Sequence, residues 1–283
     1  MISLALVTDR DHKHLVFDDR LLIKPLIKAG FKVFPVIWDD PKINWRNFQV
    51  TVFRSAWDYY LKIEKFIAWL DKLEVEKIKV FNPVNIIRWN IDKRYLLDLE
   101  KLGIKIIPTF LNDIDKGRSL TNLSRCDLGT NTADIIIKPR FGASGYQVKK
   151  LSLRQLNKIP EGFIVQPYLK EIEDSGELSI VFINNHYSHC VRKQPKKGDF
   201  RTSYEFGAKW TLEKLDQKLV KNAENIIKIL DKNLLYARID AIELNGKLIL
   251  MELEVTEPFL FLSWHLPSVQ LFVDSLAAKL ARS

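Results

Sequence analysis

Residues 237–255 read ARIDAIELNGKLILMELEV, two apolar segments joined by Asn245 and Gly246. An Asn-Gly pair between apolar segments is a strong sequence signal for a β-hairpin. Both segments also carry acidic residues, and an unpaired carboxylate inside a packed protein is energetically costly. The stretch therefore predicts a buried hairpin whose acidic side chains face a cation.

The length of the turn decides which acidic side chains share a face, because side chains alternate between the two faces along a strand. A two-residue Asn-Gly turn pairs Asp240 with Met251 and sends Asp240 and Glu252 to opposite faces. A three-residue turn over 244–246, with glycine in the left-handed position of a bulge, shifts the pairing by one residue. We expect the three-residue turn, which places Asp240, Glu252 and Glu254 on one face.

Three carboxylates on one face suit Mg²⁺, which takes oxygen ligands and leaves positions for phosphate oxygens. Arg238 has the same parity and offers an alternative, in which the acidic residues form ion pairs with Arg238 and nearby lysines at the rim of a sheet. The hairpin alone does not decide between these two interpretations. Glu257 has the opposite parity and precedes Pro258, so we expect it at a turn or rim.

The composition is that of a globular protein, with 283 residues, 47% hydrophobic and 28% charged. No segment approaches the roughly 20 apolar residues of a membrane span, and charged residues over 9–11 come too early for a signal peptide. We expect a soluble, cytoplasmic protein with no membrane partner. Two cysteines, Cys126 and Cys190, are too few for a disulfide framework and are expected to be free thiols.

The formal net charge is +9, which allows a polyanionic partner. The 44 lysines and arginines are, however, spread along the chain among 35 acidic residues, without a basic tail. We therefore expect no nucleic-acid partner. A small molecule that carries phosphate would still be attracted by this positive field.

The periodicity of apolar residues predicts an open α/β sheet at the start of the chain. Strands are predicted over 3–8, 31–38 and 49–54, and helices over 20–30 and 62–74. Further along, the pattern favours a short strand over 78–83, a helix over 92–103 and a strand over 104–110.

From residue 133 the pattern changes to strands and hairpins, over 133–141, 145–151, 162–169, 177–193 and 237–255. A long helix over 213–233 interrupts them, and the segment 266–283 closes the chain. The second half therefore predicts an α+β body rich in antiparallel strands.

The stretch IIIKPRFGASG over 135–145 combines an apolar strand with a glycine-rich loop. The strand brings Lys138 to its end, and a loop with Gly142, Ser144 and Gly145 follows. Such a loop lets backbone N–H groups approach phosphate oxygens while the lysine balances their charge. Neither the P-loop nor the dinucleotide-binding fingerprint occurs in the chain. Taken alone, the stretch also fits an ordinary hairpin turn.

The order of motifs along the chain resembles the ATP-grasp superfamily. Within it, the chain is most similar to the glutathione-synthetase-like amino-acid ligases, on the branch of the cyclo-ligase of cycloserine biosynthesis. The motifs are Lys93 in NIDKRYLL, Lys138 in IIIKPRFGASG, the strand IVQPYLKEI, Glu177 in GELSIVF, Arg201 in GDFRTSYEFGA, and the acidic residues of ARIDAIEL and LMELEV. The resemblance covers nearly the whole chain, including FRSAWDYY and KVFNPVNIIRWN in the N-terminal part.

This resemblance implies an α/β N-terminal open-sheet domain over 1–85, the pre-ATP-grasp domain. An α+β ATP-grasp domain of two subdomains with antiparallel sheets would follow, with a linker helix and small subdomain over 86–170 and a C-terminal subdomain with the metal site over 171–283. The implied activity is an ATP-dependent carboxylate–amine ligase for amino-acid-like or small peptide substrates, through an acyl phosphate. The alternatives are an ATP-grasp phosphotransferase without ligation and a non-catalytic nucleotide-binding regulatory protein. A homodimer is left open.

The implied cofactors are ATP and Mg²⁺, with Mn²⁺ as a substitute. By resemblance, nucleotide binding falls to Lys93, Lys138, Ser144, Gly145, Gln166, Tyr168, Leu169 and Glu177, and metal binding to Asp240, Glu252 and Glu254. Many family members carry asparagine where this chain has Glu254, so the site here has an additional negative charge. Because like charges repel, at least one of the three acidic residues should have a raised pKa without metal.

Arg192 and Arg201 are expected to offset charge that develops during phosphoryl transfer, and Arg238 to compensate the charge of Glu254 or to bind phosphate. The substrate site is expected where RSAWDYY follows a strand, since open α/β sheets bind ligands at the carboxyl ends of their strands. Its candidate residues are Arg54, Ser55, Trp57, Asp58 and Tyr59. Arg54 would hold a carboxylate and Asp58 an ammonium group. The alternative is a helix start, with Ser55 or Asp58 as N-cap.

Overall fold

The computed structural model describes residues 1–112, 134–143, 145–230 and 233–282. Its N-terminal unit is a parallel sheet in the order β2-β1-β3-β4. The strands are β1 (Ile2–Thr8), β2 (Phe31–Ile37), β3 (Val50–Ser55) and β4 (Val80–Phe81), and the helices are α1 (Phe17–Arg20), α2 (Ile23–Lys28) and α3 (Ile63–Val75). The predicted open α/β sheet is confirmed. Strands β1 and β3 are nearly or wholly buried, as expected where elements cover both faces of a parallel sheet.

Two helices, α4 (Val84–Asn90) and α5 (Tyr95–Lys101), lead from this sheet to the rest of the chain. The predicted strand over 104–110 is wrong for most of its length, since strand β5 covers only Phe110–Leu111. Pro108 has no N–H to donate to a strand ladder. Instead, the N–H of Ile107 donates to the carbonyl of Leu250 over 2.9 Å, which holds this segment against the last strand of the chain.

A small antiparallel sheet follows, in the order β5-β8-β6-β7. Its other strands are β6 (Asp134–Pro139), β7 (Lys149–Ser152) and β8 (Phe163–Pro167). Ile135, Ile137 and Val165 form a small apolar core on one face with Phe110. Lys138 alternates with these residues and therefore lies on the opposite face.

The large antiparallel sheet has five strands in the order β11-β10-β9-β12-β13. The strands are β9 (Glu177–Ile183), β10 (His186–Gln194), β11 (Lys209–Glu213), β12 (Tyr236–Leu244) and β13 (Lys247–Glu254), and the helices of this part are α6 (Glu171–Ser175), α7 (Gln217–Ile227) and α8 (Pro267–Ala281). The two antiparallel sheets confirm the predicted fold class. The predicted helix over 213–233 begins only at Gln217, where the side chain of Asp216 caps it.

The turn between β12 and β13 has two residues, so the predicted three-residue turn is wrong. Leu244 lies opposite Lys247, and the φ angles of Asn245 and Gly246 are 52° and 68°. Two successive left-handed residues are what a type I′ turn requires, and this turn matches the twist of the strands.

A bulge nevertheless puts the acidic residues on one face. The register shifts at Met251, so Asp240 lies opposite Glu252, and Arg238 opposite Glu254. Met251 is the additional residue on the longer side of the bulge, and it restores the alternation that the short turn would have broken. The predicted common face of the four charged residues is therefore confirmed, although its cause is different.

The N-terminal unit and the large sheet share a core and are joined by buried amides. Residues of β1 and α2 pack with Phe261, Phe272 and Leu276 near the end of the chain. The Asn82 side chain donates to the carbonyls of Tyr236 and Val255, each over 2.8 Å, and also accepts the N–H of Leu235. Asn90 makes similar bonds to 253–256. The boundaries at 85 and 170 stay predictions.

In the described parts of the chain, no helix is long and apolar enough to cross a membrane. Cys190 is buried with a free thiol, as predicted. Burial raises its pKa above the usual value. Cys126 lies outside the described residues.

Candidate active site

A cleft of about 180 Å³ lies between the small and the large sheet. Lys138 and Gln166 reach it from the small sheet, and Glu177, Asp240 and Glu252 from the large sheet. It is also lined by Lys93, Gly142, Gly145, Lys193, Arg201, Arg238 and Glu254. The structure thus brings most of the predicted nucleotide and metal residues around one space.

Two lysines carry positive charge into this cleft. Lys93 donates from Nζ to the carbonyl of Gly142 over 2.6 Å and to Oε1 of Glu252 over 2.7 Å. Burial lowers the pKa of Lys138, although the carboxylate of Glu252 opposes this shift. Both ammonium groups therefore face Glu252 across the cleft.

The segment after β8 connects the small sheet to α6 and the large sheet. Gln166 lines the cleft and donates to the hydroxyl of Thr109 over 3.0 Å. Tyr168 and Leu169 are buried, and the Tyr168 hydroxyl donates to Glu173. Of the three predicted nucleotide-binding residues in this segment, only Gln166 therefore lines the cleft.

Glu177 begins β9 and lines the cleft. Its carboxylate forms an ion pair with the ammonium group of Lys193 and accepts a bond from the Thr202 hydroxyl over 2.6 Å. Lys193 also lies 3.5 Å from Oδ2 of Asp240. Lys193 is therefore a central cation of the cleft, and sequence reasoning missed it.

Arg192 is not among the described residues that line the cleft, and its catalytic role stays a prediction. It directly precedes Lys193 on β10, and neighbouring side chains on a strand point to opposite faces. Its guanidinium instead donates to Glu213 over 3.1 Å and to the carbonyl of Ser175 over 2.6 Å. The pairing of Lys193 with Glu177 across the β9–β10 hairpin is the signal that would have indicated Lys193 as a residue of the cleft.

The three acidic residues predicted as metal ligands are held by cations. Arg238 donates to Asp240 over 2.8 and 3.0 Å and to Oε1 of Glu254 over 2.5 Å. The Ser179 hydroxyl donates to Asp240 over 2.5 Å. Glu252 pairs with Lys93. The ion pairs anticipated as the alternative to a metal site are thus present, from Arg238 and from two lysines.

The surroundings separate the pKa values of these carboxyl groups. Burial raises the pKa of Asp240 and of Glu252, but the adjacent cations outweigh it and lower both below their usual range. Burial, helped by repulsion from Asp240 and Glu252, raises the pKa of Glu254 to about 7 in spite of Arg238. The prediction that at least one of the three has a raised pKa is confirmed.

These residues fit a hard divalent cation in donor type and position, since all offer carboxylate oxygens and Asp240 lies opposite Glu252. Within the described ranges, no three His, Cys, Asp or Glu side chains form a ready metal-binding cluster. The carboxylates point instead to Lys93, Lys193 and Arg238. A metal ion would have to take the place of these cations.

Two loops meet over the cleft. Arg201 pairs with Asp199 over 2.7 Å, and its guanidinium lies 3.6 Å from the centre of the Phe206 ring. Gly145, with a φ of +71°, lies so close that an added Cβ would be 3.6 Å from the same ring. Ser144 lies outside the described residues. Arg201 and Gly145 are therefore parts of one cover above the space between the sheets.

Arg54 lies in the interior, so a substrate carboxylate would have to displace its present partners, and its role in substrate binding stays a prediction. It is fully buried, donates to Oδ1 of Asp19 over 2.8 and 2.9 Å and to the carbonyl of Pro258 over 2.9 Å, and lies over the Tyr236 ring. A guanidinium satisfied in this way has a structural role.

The neighbours of Arg54 divide between the interior and a second cavity. Ser55 is buried against the hydroxyl of Thr8, and Tyr59 is buried too. Asp58 accepts bonds from Trp38 and Lys62 and does not cap the short 3₁₀ helix that follows it. A substrate ammonium group, as predicted, would have to compete with the ammonium group of Lys62 for the Asp58 carboxylate. Trp57 lines the cavity.

This second cavity has a volume of about 680 Å³ and adjoins the cleft. The two spaces share Ala143, Lys193, Ser203, Arg238 and Glu254. The rest of its lining is rich in aromatic side chains and includes His12, Phe17, Trp57, Tyr204, Trp210, Glu257, Phe259, Phe261 and Trp264. Glu257 lies at a bend beyond the end of β13, in agreement with the expected turn, but it is buried and lines this cavity and is not exposed at a rim.

Two family models match separate parts of the chain. The N-terminal domain of D-cycloserine synthetase DcsG matches residues 4–82, and the ATP-grasp domain of prokaryotic glutathione synthetase matches residues 126–262. The cycloserine biosynthesis protein DcsG of Streptomyces lavendulae is 25% identical, over 98% of each chain. The crystal structure of D-cycloserine synthetase DcsG superposes with a TM-score of 0.81 at 24% identity, covering 98% of this chain and 99% of that chain.

More distant solved structures share the fold. D-alanine–D-alanine ligase from Bacillus anthracis complexed with ATP has a TM-score of 0.66 at 13% identity, over 100% of both chains. ATP-grasp ligase PsnB complexed with minimal precursor, Mg and ADP has a TM-score of 0.63 at 16% identity, over 98% of this chain and 96% of that chain. The chain thus has the ATP-grasp fold, its residues 126–262 match an ATP-grasp family model, and it is similar to ATP-grasp ligases over nearly its whole length.

Proposed function

We propose that this ligase joins a carboxylate to an amine in an ATP-dependent reaction through an acyl phosphate, with amino-acid-like or small peptide substrates. The observation that carries the proposal is the junction of the two cavities at Lys193, Arg238 and Glu254. A charged cleft suited to a nucleotide opens there into a larger cavity suited to a second reactant. Phosphoryl transfer and amine attack would then take place next to each other.

The chemistry explains why ATP is needed. A carboxylate is a poor acyl donor, because oxide would have to leave. Transfer of the γ-phosphoryl group to a carboxylate oxygen gives ADP and an acyl phosphate. The amine then attacks the carbonyl carbon, and phosphate leaves with the former carboxylate oxygen. The protein mainly has to position the reactants and offset charge, so no serine or cysteine nucleophile is required.

In this proposal, Lys93 and Lys138 contact the nucleotide phosphates, and Gln166 lies beside the base. Glu177 holds the ribose hydroxyls. For this role its carboxylate would have to leave Lys193, or bind Lys193 and the ribose at the same time. Arg201 lies in the cover above the cleft and would approach the phosphoryl group on closure. The cover would also limit hydrolysis of the acyl phosphate by excluding water.

Asp240, Glu252 and Glu254 would hold Mg²⁺, for which Mn²⁺ could substitute. When bound, the metal would neutralise phosphate charge and hold phosphate oxygens in place. Lys93, which now pairs with Glu252, would then be available to the phosphates. Arg238 would compensate the charge that Glu254 adds.

The experiment is an assay of ADP release with pairs of carboxylates and amines, followed by analysis of the product. A ligase releases ADP and phosphate only when both groups are present, in two molecules or in one. A phosphotransferase gives a stable phosphorylated product, and a nucleotide-binding regulatory protein gives no turnover. With an active pair, a carboxylate labelled with ¹⁸O should transfer one label to inorganic phosphate, and unlabelled phosphate would refute the acyl phosphate.

A further inference from the structure

The larger cavity is walled by aromatic rings whose faces are not fully covered. The ring of Phe259 has its centre 5.6 Å from that of Phe17, 6.3 Å from Trp57 and 6.2 Å from Trp264. Phe17 is 52% exposed, although it contacts this cluster. Exposed aromatic surface in a concave site is typical of a place where a ligand covers it.

One acidic group in this cavity lacks a partner. Glu257 is only 8% exposed, and within the described part of the chain its buried Oε2 atom has no hydrogen-bond partner. The indole N–H of Trp57 donates to the backbone carbonyl of Glu257 over 2.9 Å, which fixes the residue at the aromatic wall. A buried carboxyl oxygen without a partner is costly, and the carboxyl group that carries it lines the cavity, where a ligand can supply a donor.

Several other charged or ionisable groups of the cavity already have partners. Arg238 is bound to Asp240 and Glu254, Lys193 pairs with Glu177, and the ring of His12 hydrogen-bonds to Asp9. Arg20 and Glu205 also line the cavity, but their side chains are exposed to solvent. Burial, helped by the charge of Glu254, raises the pKa of Glu257 well above its usual value. The raised pKa favours the uncharged form of Glu257 while no ligand is bound, and an ammonium group bound beside it would favour the charged carboxylate.

We propose that this cavity binds the amine substrate, that the ammonium group of this substrate contacts Glu257, and that its body is aromatic. The volume of about 680 Å³ leaves room for far more than a methyl or hydroxymethyl side chain. An ammonium group is also attracted to the faces of the surrounding rings. Because the cavity meets the cleft at Glu254, an amine on Glu257 lies beside the position of the acyl group. The inference rests on the proposed ligase function for this last step only.

The test is direct binding to the full chain, measured by calorimetry without nucleotide. 2-Phenylethylamine carries both features, ethylamine only the ammonium group, and 3-phenylpropanoate the ring with a negative charge. We expect 2-phenylethylamine to bind at least about tenfold more tightly than either of the others. Equal affinity of all three probes, or preference for 3-phenylpropanoate, would overturn the proposal.

Matched variants locate the two contacts. Glu257→Gln keeps the shape and removes the charge, and should weaken 2-phenylethylamine about tenfold, whereas Glu243→Gln, exposed on the same hairpin, should have no effect. Phe17→Ala should weaken 2-phenylethylamine but not ethylamine. The control for Phe17→Ala is Leu61→Ala, because Leu61 is 57% exposed and is not among the residues that line the cavity. Unchanged 2-phenylethylamine binding in both Glu257→Gln and Phe17→Ala would sink the assignment.

Failure of this inference differs from failure of the proposed function. ADP release with small amino acids, together with no binding of 2-phenylethylamine, would overturn the inference and leave the ligase function standing. Glu257-dependent binding of 2-phenylethylamine with no ADP release from any pair would support the cavity assignment and refute the ligase. If both hold, aromatic amino acids should release ADP faster than alanine at equal concentration.

Discussion

The ammonium group of Lys93 lies 2.7 Å from a carboxylate oxygen of Glu252, although the two residues are 159 positions apart in the chain. Lys93 precedes α5, and Glu252 lies on β13 of the large sheet. In the proposed function, both groups have other partners when substrate is bound, the lysine a phosphate and the carboxylate a metal ion. The ion pair would therefore hold two binding groups in place while the nucleotide is absent.

Glu252→Gln should retain the fold and lose Mg²⁺-dependent turnover. The amide has nearly the same shape but is a much weaker ligand for a hard cation. The measurements are ADP release as a function of Mg²⁺ concentration and the thermal unfolding curve, with Glu243→Gln as the control. Unchanged Mg²⁺ dependence in Glu252→Gln would show that the carboxylates are purely structural.

Glu254→Asn should reduce turnover less than Glu252→Gln does, and it should change the pH dependence of metal binding. The pKa of Glu254 is about 7, so the group is largely protonated below that pH and must lose its proton to bind a metal. Mg²⁺ affinity of the unaltered chain should thus increase as the pH rises through about 7, with release of protons. Calorimetry in buffers of different ionisation enthalpy measures this release. An equal pH dependence in Glu254→Asn would exclude Glu254 from the metal site.

Lys138→Met and Arg201→Ala should affect different steps. Lys138 lines the cleft in a fixed strand, so its loss should weaken binding of ADP. Arg201 belongs to the cover, and its loss should spare much of the ADP affinity and reduce kcat, because a cation that acts on developing charge matters mostly in the transition state. Titrations with ADP and steady-state kinetics on both variants test this division. Equal loss of ADP affinity in both would contradict it.

Arg54→Met should destabilise the protein by about 3 to 5 kcal/mol, since it leaves the buried carboxylate of Asp19 without its partner. The double variant Arg54→Met with Asp19→Asn should recover part of this loss. Arg46→Met, at an exposed ion pair with Glu76, should cost less than about 1 kcal/mol. Urea unfolding measures all three. A small effect of Arg54→Met on stability, with a large effect on KM, would favour the substrate role.

His189 should make the protein less stable in mild acid. It is buried and stacked on His265, at a centroid distance of 4.8 Å, and burial together with His265 lowers its pKa to about 4. The unfolded chain protonates this residue near its ordinary pKa of about 6.5. Stability is therefore present above about pH 6.5 and is lost as the pH falls towards 4, by up to about 3 kcal/mol. His189→Asn should flatten this loss, whereas the exposed His186→Asn should not.

The hairpin shows what sequence patterns can predict and where they stop. Alternation predicts correctly that Asp240, Glu252 and Glu254 share a face, but it cannot show that a bulge at Met251, and not a longer turn, produces that face. A bulge and a turn that is one residue longer both shift the pairing of the two strands by one residue. Local sequence signals for a type I′ turn and for a bulge are independent, so the pairing is decided by the packing of the whole sheet.

The site was predicted best where a residue lies on a regular strand. Lys138, Asp240 and Glu252 converge on the cleft as predicted from their strands. Arg54 also lies on a strand, one residue before the end of β3. Its environment depends, however, on Asp19 in the four-residue helix α1, which has no clear periodic signal. Glu257 lies beyond the end of β13, where alternation no longer applies. Contacts between distant segments decide such positions.

The buried amide of Asn82 has a practical consequence for protein engineering. It donates to two carbonyls and accepts an N–H across the boundary with the large sheet, and it is also the last residue that the N-terminal family model matches. A chimaera that exchanges the N-terminal unit for that of a relative keeps these bonds if the crossover point precedes residue 82, or if it follows residue 82 and the relative has asparagine there. A crossover after residue 82 that brought an apolar side chain to this position would remove the partner of buried backbone groups at Leu235, Tyr236 and Val255. Exchange of the N-terminal unit thus depends on one side chain, because the amide of Asn82 bonds this unit to the part of the chain that carries the large sheet.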